Sequence, residues 1–184
     1  MRKWFFLLTA AGLAIGCGES SPVAPVDEVR AGNVRLVLLS DFNGYIADVQ
    51  LTIPNVNLMI AEFASIGKDF NAGFVPLYWI AEYTKNLLKR VEGVQAEGQK
   101  IRPSDPELLK LHLEEYEAAL EDFRVAFSLF VQGIEQPGSV TTEQVNDSIV
   151  SGNTHLIRLQ ILLGNLGGTR VDFFAGGGGN GGRN

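Results

Sequence analysis

The stretch SDPELLKLHLEEYEAALEDFRVAFSLFVQGI, residues 104–134, decides the fold of this chain. Ser104 and Asp105 are helix-capping types, Pro106 is tolerated in a first helical turn, and Glu107 suits that turn. Inward residues then recur at steps of three and four, the spacing of one helix face: Leu109, His112, Tyr116, Ala119, Phe123, Ala126 and Phe130. The pattern predicts a long amphipathic helix that ends at Pro137 and Gly138.

Two segments upstream show the same periodicity. Apolar residues from Ile46 to Phe63 mark a first helix, which Pro54 is expected to kink or break because proline removes a backbone donor. Residues 34–53 are read either as one helix or as a strand followed by a helix. A predicted turn at 67–73 leads to a second helix from about residue 76 to 99, with an inward stripe: Leu77, Ile80, Leu87, Val91 and Val94.

A last helical segment follows the long one. Thr141 and Gln144 have the spacing of a capping box, and Gly167-Gly168 is a stop signal. Gly152-Asn153 inside this segment predicts a close helix crossing or a kink. Four amphipathic segments with short connections predict an all-α fold over residues 33–168, arranged as an up-down antiparallel four-helix bundle.

The N-terminus has the layout of an export signal. Arg2 and Lys3 precede a continuous apolar run over 4–15, which is followed by small residues. A run of this length is too short for the ~20 helical residues that cross a bilayer. Cys17, directly after it, is the single cysteine of the chain, so no disulfide forms within the chain. A lone thiol on an exported protein indicates a dedicated role.

The sequence Leu13-Ala14-Ile15-Gly16-Cys17 resembles the lipobox of bacterial lipoproteins, although leucine is commoner at the position of Ala14. The resemblance implies lipid attachment to the Cys17 thiol, cleavage before Cys17 and acylation of the new amino terminus. Gly18 rather than aspartate follows, which favours the outer membrane if the host has two membranes. The alternative is an ordinary secretory signal of residues 1–16 with an incidental cysteine.

The segments outside the helical domain are predicted from composition. Residues 17–32 are rich in Ser, Pro and Gly and indicate the lipidated cysteine with a flexible tether. Residues 169–184 end almost entirely in Gly and Asn, which predicts a disordered tail. Val171, Phe173 and Phe174 precede the glycines and are apolar enough to dock back on the domain.

Charge excludes some classes of partner. The chain has 15 Lys and Arg against 21 Asp and Glu, a net charge of −6. Loss of Arg2 and Lys3 with the signal leaves −8. This acidic balance argues against nucleic-acid binding and against a polybasic contact with anionic lipid.

The chain carries no recognisable set of catalytic or metal-binding residues. His112 and His155 are expected about two turns apart in height, so we expect neither a shared metal nor a bis-His haem. Leu109 and Gly152 stand where Glu-x-x-His pairs of di-iron bundles need glutamate. No phosphate-binding loop or nucleophile elbow is present. We therefore expect no cofactor, no metal and no enzymatic activity, and we expect the acidic run 114–122 to be a solvated helix face.

Five aromatic residues form the candidate ligand pocket: Trp79, Tyr83, Tyr116, Phe123 and Phe127. Their helical spacing also fits a plain hydrophobic core. The two explanations are distinguishable in a structure. An enclosed apolar cavity favours ligand binding, whereas a filled core with an exposed apolar surface favours a role in protein contact.

The third and fourth segments are similar to those of small helical envelope lipoproteins without assigned function. The residues that carry this resemblance are Leu111-His112, Tyr116, Ala119-Leu120 and Gly152-Asn153. The resemblance implies no activity. The sequence as a whole predicts a lipid-anchored, non-enzymatic protein of the bacterial cell envelope that contacts another envelope protein. The alternative is a bundle that binds a small apolar ligand, in the periplasm or on the cell surface.

Overall fold

The computed structural model describes residues 39–73, 75–168, 171 and 173, and this part of the chain is all-α, as predicted. The helices are α1 (Leu39–Ala72), α2 (Leu77–Gly98), α3 (Pro106–Leu111), α4 (Ala118–Glu135) and α5 (Thr142–Gly167). A π-helical segment (His112–Glu117) joins α3 to α4 without a break. The predicted signal, the tether and residues 34–38 lie outside the described residues, while 39–53 is helical.

Helix α1 passes through Pro54 without ending, so of the expected kink or break the break does not occur. Ile53 and Val56 on either side of the proline are buried. Pro54 itself and Gln50, whose carbonyl loses its helical partner, are exposed. Water can therefore satisfy the carbonyl group while core packing holds both halves of the helix.

The predicted turn at 67–73 is also wrong, because α1 continues to Ala72. Ile66 and Phe70 extend the apolar face of α1 and pack against the core. The rings of Phe70 and Phe130 are 5.5 Å apart in an edge-on contact. The chain leaves the helix only at Gly73, which has a φ of 70°, a conformation that glycine adopts without strain.

The predicted ends of the later helices are confirmed. The side chain of Asp105 accepts hydrogen bonds from the Glu107 and Leu108 amides at the start of α3. Thr141 and Gln144 form the predicted capping box at α5, and Gly168 ends that helix in the left-handed conformation. Short polar side chains thus satisfy amide groups that a helix terminus leaves without partners.

One hydrophobic core joins all the helices. Its largest fully buried side chains come from α1, α2, the 106–135 helical run and α5: Phe63, Met59, Ile80, Leu87, Leu108, Tyr116, Leu120, Phe123, Phe127, Phe130, Leu156 and Leu159. The rings of Phe63 and Phe127 lie 4.8 Å apart, and Phe63 also contacts Phe130 edge-on at 5.2 Å. The aromatic stripe of residues 104–134 is therefore the centre of the core.

The start of the predicted disordered tail packs on the helices, which corrects the prediction for part of residues 169–184. Val171 and Phe173 are buried. Asn57 of α1 donates from Nδ2 to the Phe173 carbonyl oxygen at 3.0 Å, and the Phe173 amide donates to Oε1 of Gln160 in α5 at 3.1 Å. The chain thus ties the first and last helices together. Phe174 and the glycines lie outside the described residues.

Candidate functional site

The five aromatic residues of the predicted pocket do not line one cavity. Tyr116, Phe123 and Phe127 are fully buried in the core. Trp79 and Tyr83 are 54% and 57% exposed on α2. The separation arises because the inward face of α2 is formed by Ile80, Thr84, Leu87 and Val91, and residues 79 and 83 lie one position away from it. Leu77, predicted to face inward, is also exposed, at 53%.

Backbone lies directly against two of the buried rings. A Cβ atom placed on Gly98 of α2 would lie 2.7 Å from Cε1 of Tyr116. A Cβ atom on Gly152 of α5 would lie 2.7 Å from Cε1 of Phe123. These distances are far below van der Waals contact, so both glycines are needed for the close approach. Gly152 thus permits the close packing that its place in the sequence predicted.

His112 forms a polar pair inside the core. It is fully buried. Burial lowers the pKa of the His112 imidazole below its usual value near 6.5, so the ring is neutral at pH 7. Its Nε2 lies 3.0 Å from the Gly98 carbonyl oxygen, and its Nδ1 lies 3.3 Å from the Tyr45 hydroxyl. A carbonyl oxygen only accepts, so Nε2–H donates to Gly98 and Nδ1 accepts from Tyr45.

Tyr116 completes this interior network one helical turn further on. Its ring stacks on His112 with centroids 5.1 Å apart. Thr52 donates its hydroxyl proton to the Val49 carbonyl oxygen at 2.7 Å, so Tyr116 donates to Thr52 Oγ1 at 2.6 Å. Burial raises the pKa of Tyr116 to about 12. The side-chain polar groups of Tyr45, His112 and Tyr116 thus all have hydrogen-bond partners within the domain.

The sequence reasoning missed a second cluster around His155. Its Nδ1 lies 2.7 Å from Oε2 of Glu115, and its Nε2 lies 3.9 Å from Oδ2 of Asp122. The Asp122 oxygen is buried and has no hydrogen-bond partner among the described residues. Part of the acidic run 114–122 therefore faces α5 instead of solvent. Glu115 and Asp122 are seven residues apart and therefore lie on one face of a helix. This spacing was the feature of the sequence that could have indicated the cluster.

The two histidines contact different groups. Both nitrogens of His155 face carboxylates, whereas His112 contacts the Tyr45 hydroxyl, the Gly98 carbonyl oxygen and, at 3.4 Å, Oε1 of Glu117. Within the described ranges, no group of three or more His, Cys, Asp or Glu residues is arranged to hold a metal ion. The His112 ring contacts α1 and α2. The His155 ring of α5 instead contacts acidic residues of the 106–135 run.

An open groove runs between α1 and α2. Its upper half, near the start of α2, has a volume of about 780 Å³. The residues that line it include Ile66, Asp69, Trp79, Tyr83 and Asn86. Its lower half, about 650 Å³, is lined by Leu51, Met59, Gly93 and Val94, among others. The Arg90–Glu62 ion pair joins the two helices where the halves meet. The groove is a surface feature and not an enclosed cavity.

The outer face of α5 carries an apolar stripe formed by Val150, Thr154, Ile157 and Ile161. Val150, Ile157 and Ile161 are 56%, 45% and 55% exposed. Their steps of four, three and four residues place them on one side of the helix, opposite Leu156 and Leu159 in the core. The charged residues of α5 are Glu143, Asp147 and Arg158, and Glu143 lies seven residues before Val150, on the same side of the helix. A linear, largely apolar surface of this kind is typical of a helix that contacts another protein.

In the described ranges, none of the helices has the length and apolar character needed to span a membrane. No protein-family model, curated protein or solved structure matches this chain.

Proposed function

We propose that this chain is a lipid-anchored, non-enzymatic protein of the bacterial cell envelope that works by contacting another envelope protein. The α5 stripe is the observation that carries the proposal, because Val150, Ile157 and Ile161 are exposed on one helix face. Residues at positions i, i+7 and i+11 are the anchors with which a helix fills a groove on a partner. The acidic balance of the chain argues against nucleic acid as that partner.

The close packing around the aromatic core favours protein contact over an enclosed ligand. Tyr116 and Phe123 abut the backbone of Gly98 and Gly152, which leaves no room beside them for even one methyl group. Apolar ligands of proteins need pockets of about 300–1,000 Å³. The apolar surface that remains available is on the outside of the helices.

We infer an up-down antiparallel four-helix bundle as the frame for this surface. Tyr45 contacts His112 and Phe63 contacts Phe127, so residue numbers rise together along α1 and the 106–135 run. These contacts support a parallel pair, which is the relation of the first and third helices in an up-down bundle.

Contacts of α2 support the same arrangement. Gln95 donates to Glu121 and Lys85 pairs with Glu135 at 2.7 Å, so residue numbers run in opposite senses along α2 and α4. The contacts of α5 with α4 and the π-helical segment also run in opposite senses. Neighbouring antiparallel helices joined by short turns complete the inferred bundle.

The anchor part of the proposal is supported by the sequence around Cys17. Acyl chains contribute ~0.8 kcal/mol per buried CH2, so several chains on one residue hold a protein firmly on a bilayer. Cleavage before Cys17 would leave 21 residues, 18–38, between the lipidated Cys17 and α1. Gly18 after the cysteine favours the outer membrane in a host with two membranes.

The contact is tested by site-specific photocrosslinking in cells that make the protein. A photoreactive amino acid at Ile157, in the α5 stripe, is expected to yield one crosslinked product of defined mass in the envelope fraction. The same amino acid at Lys89, which is exposed on α2, serves as the control. Equal adduct patterns at 157 and 89 would show that the α5 stripe has no specific partner.

A second function, binding of a small apolar ligand, is favoured by the upper groove between α1 and α2. Its volume of about 780 Å³ and its walls of Trp79, Tyr83 and Ile66 suit a small molecule. Ser65→Trp would fill this groove and should abolish binding of an apolar fluorescent probe. Lys89→Trp, at an exposed α2 residue outside the groove lining, is the matched control. Retention of probe binding by Ser65→Trp would rule out the groove.

A further inference from the structure

The first turns of α2 expose an unusual concentration of apolar and aromatic side chains. Leu77, Tyr78, Trp79 and Tyr83 are 53%, 68%, 54% and 57% exposed. Tyr78 and Trp79 contact each other edge-on at 5.7 Å. We call these four residues the aromatic tip. Trp79 and Tyr83 also line the groove between α1 and α2, whereas Leu77 and Tyr78 lie outside it.

The aromatic tip is convex. Leu77, Tyr78 and Trp79 are consecutive, and consecutive helical residues point about 100° apart, so their side chains cover roughly 200° of the helix circumference. A protein partner would have to enclose the helix end to bury all three. A lipid bilayer accommodates such a shape because headgroups and acyl chains move around an inserted side chain.

The chemistry of the aromatic tip suits the interface between lipid and water. Trp and Tyr place an apolar ring at the level of the headgroups and keep a polar group in contact with water, and both are enriched there. Tyr78 and Trp79 are both largely exposed. No charged residue occurs between Asp69 and Glu82 or between Glu135 and Glu143 in the sequence. Both turns at this end of the helices are thus free of charge.

The length of chain before α1 lets the aromatic tip reach the membrane that holds the anchor. The tip follows the end of α1, which has 34 residues and is therefore about 51 Å long. Residues 18–38 span at most about 70 Å when extended. A chain of this length is sufficient for the far end of α1 to return to the bilayer surface.

We propose that the aromatic tip inserts into the interfacial region of an uncharged or zwitterionic lipid bilayer as a second, reversible membrane contact. The inference rests on the proposed anchor for bringing the tip to a membrane. Insertion itself requires neither the lipid on Cys17 nor a partner at the α5 stripe. The acidic chain should not prefer anionic lipid, because its charge is repelled by such a surface.

The chain offers a specific probe for this contact. It has two tryptophans, Trp4 and Trp79, and Trp4 belongs to the predicted signal. In the mature chain, residues 17–184 with Cys17→Ser, Trp79 is the sole tryptophan. The test titrates this protein with phosphatidylcholine vesicles while its fluorescence is recorded. We expect the emission maximum to move to shorter wavelength, and we expect brominated acyl chains to quench it.

Two double variants locate the contact. Leu77→Ser with Tyr78→Ser removes tip residues outside the groove and should weaken vesicle partitioning by about tenfold or more. Val150→Ser with Ile157→Ser removes side chains of similar exposure from the α5 stripe and should leave partitioning unchanged. Circular dichroism verifies that both variants remain helical.

Three results would overturn the proposal. They are an emission spectrum that vesicles leave unchanged, an equal loss of partitioning in both double variants, or a vesicle-independent blue shift that grows with protein concentration. The last result would show that a second copy covers the tip. None of them depends on acylation of Cys17, so failure of the tip and failure of the anchor are separate outcomes.

Discussion

The ring of Phe123 in α4 packs directly on the backbone of Gly152 in α5. A Cβ atom at Gly152 would lie 2.7, 2.9 and 3.0 Å from three carbons of that ring. The ring is 1% exposed and is enclosed by the core, so it has little freedom to retreat. A glycine that weakens an isolated helix is therefore what allows the last two long helices to approach closely.

Gly152→Ala should destabilise the fold through this contact. Overpacking a core typically costs about 1–3 kcal/mol, and alanine recovers up to about 1 kcal/mol of helix propensity, so we expect a net loss of about 1–2 kcal/mol. Gly93→Ala is the control, because a Cβ atom at Gly93 of α2 would meet no atom within 4 Å. It should gain about 0.5–1 kcal/mol. Urea denaturation measures both, and equal effects would contradict the packing argument.

His112→Leu should remove the acceptor of the buried Tyr45 hydroxyl. A buried polar group left without a partner costs about 1–3 kcal/mol, and we expect a loss of stability in that range. The variant with both His112→Leu and Tyr45→Phe leaves no hydroxyl to satisfy, so it should be more stable than the sum of the single changes predicts. Simple additivity in thermal or urea unfolding would show that the two side chains are not coupled.

Stability should also fall as the pH decreases below about 6.5, the ordinary pKa of histidine. Burial lowers the pKa of His112 in the folded state, although Glu117, 3.4 Å from Nε2, opposes that shift. As the pH falls, His112 is therefore protonated at a higher pH in the unfolded chain than in the folded chain. This protonation stabilises the unfolded state relative to the folded state. His112 thus favours folding fully above pH 6.5, and its contribution is lost as the pH falls through the folded pKa.

The comparison that isolates His112 is the free energy of unfolding of wild type and His112→Leu between pH 5 and 7. Other groups titrate in both proteins, so their effects cancel in the difference. Wild type should lose stability relative to the variant toward pH 5, with a slope of at most about 1.4 kcal/mol per pH unit. Parallel curves would mean that His112 has an ordinary pKa in the folded chain.

Much of the fold follows from the sequence because local signals and hydrophobic period agree. Asp105, Thr141 and Gly168 are the capping types that the helix ends require, and each is found in that role. The period-based stripe of residues 104–134 also places the core correctly. The rule that proline breaks a helix considers only the lost backbone donor. It fails at Pro54 because the buried side chains of Ile53 and Val56 hold the helix on both sides of the proline.

The candidate site was less predictable for a geometric reason. Trp79 and Tyr83 are one position away from the buried face of α2, and a shift of 100° separates core from solvent. The spacing of apolar residues in the sequence locates the buried face of a helix only to within about 100°, so it cannot separate neighbouring positions such as 79 and 80. His155 with Glu115 and Asp122 depends on which helices are neighbours, and spacing within one segment does not contain that information.

Removal of residues 169–184 should destabilise the domain because Phe173 and Val171 are buried against the helices. Full burial of one such side chain contributes about 1.5–3 kcal/mol, and ordering of the chain offsets part of it. We expect a loss of about 1–3 kcal/mol. Removal of 176–184 alone deletes no apolar side chain and should change stability by less than about 0.5 kcal/mol. Equal stabilities of the two truncated chains would refute the docking of Phe173.

The anchor at Cys17 is the central claim, and intact mass with membrane fractionation tests it most directly. The protein is expressed in a bacterial host as wild type and as Cys17→Ser. We predict that wild type lacks residues 1–16, carries the added mass of acyl chains and sediments with the membrane, whereas Cys17→Ser carries no lipid and is released from it. If both forms are unacylated and soluble, the lipoprotein assignment is wrong, and a freely diffusing ligand binder becomes the better account.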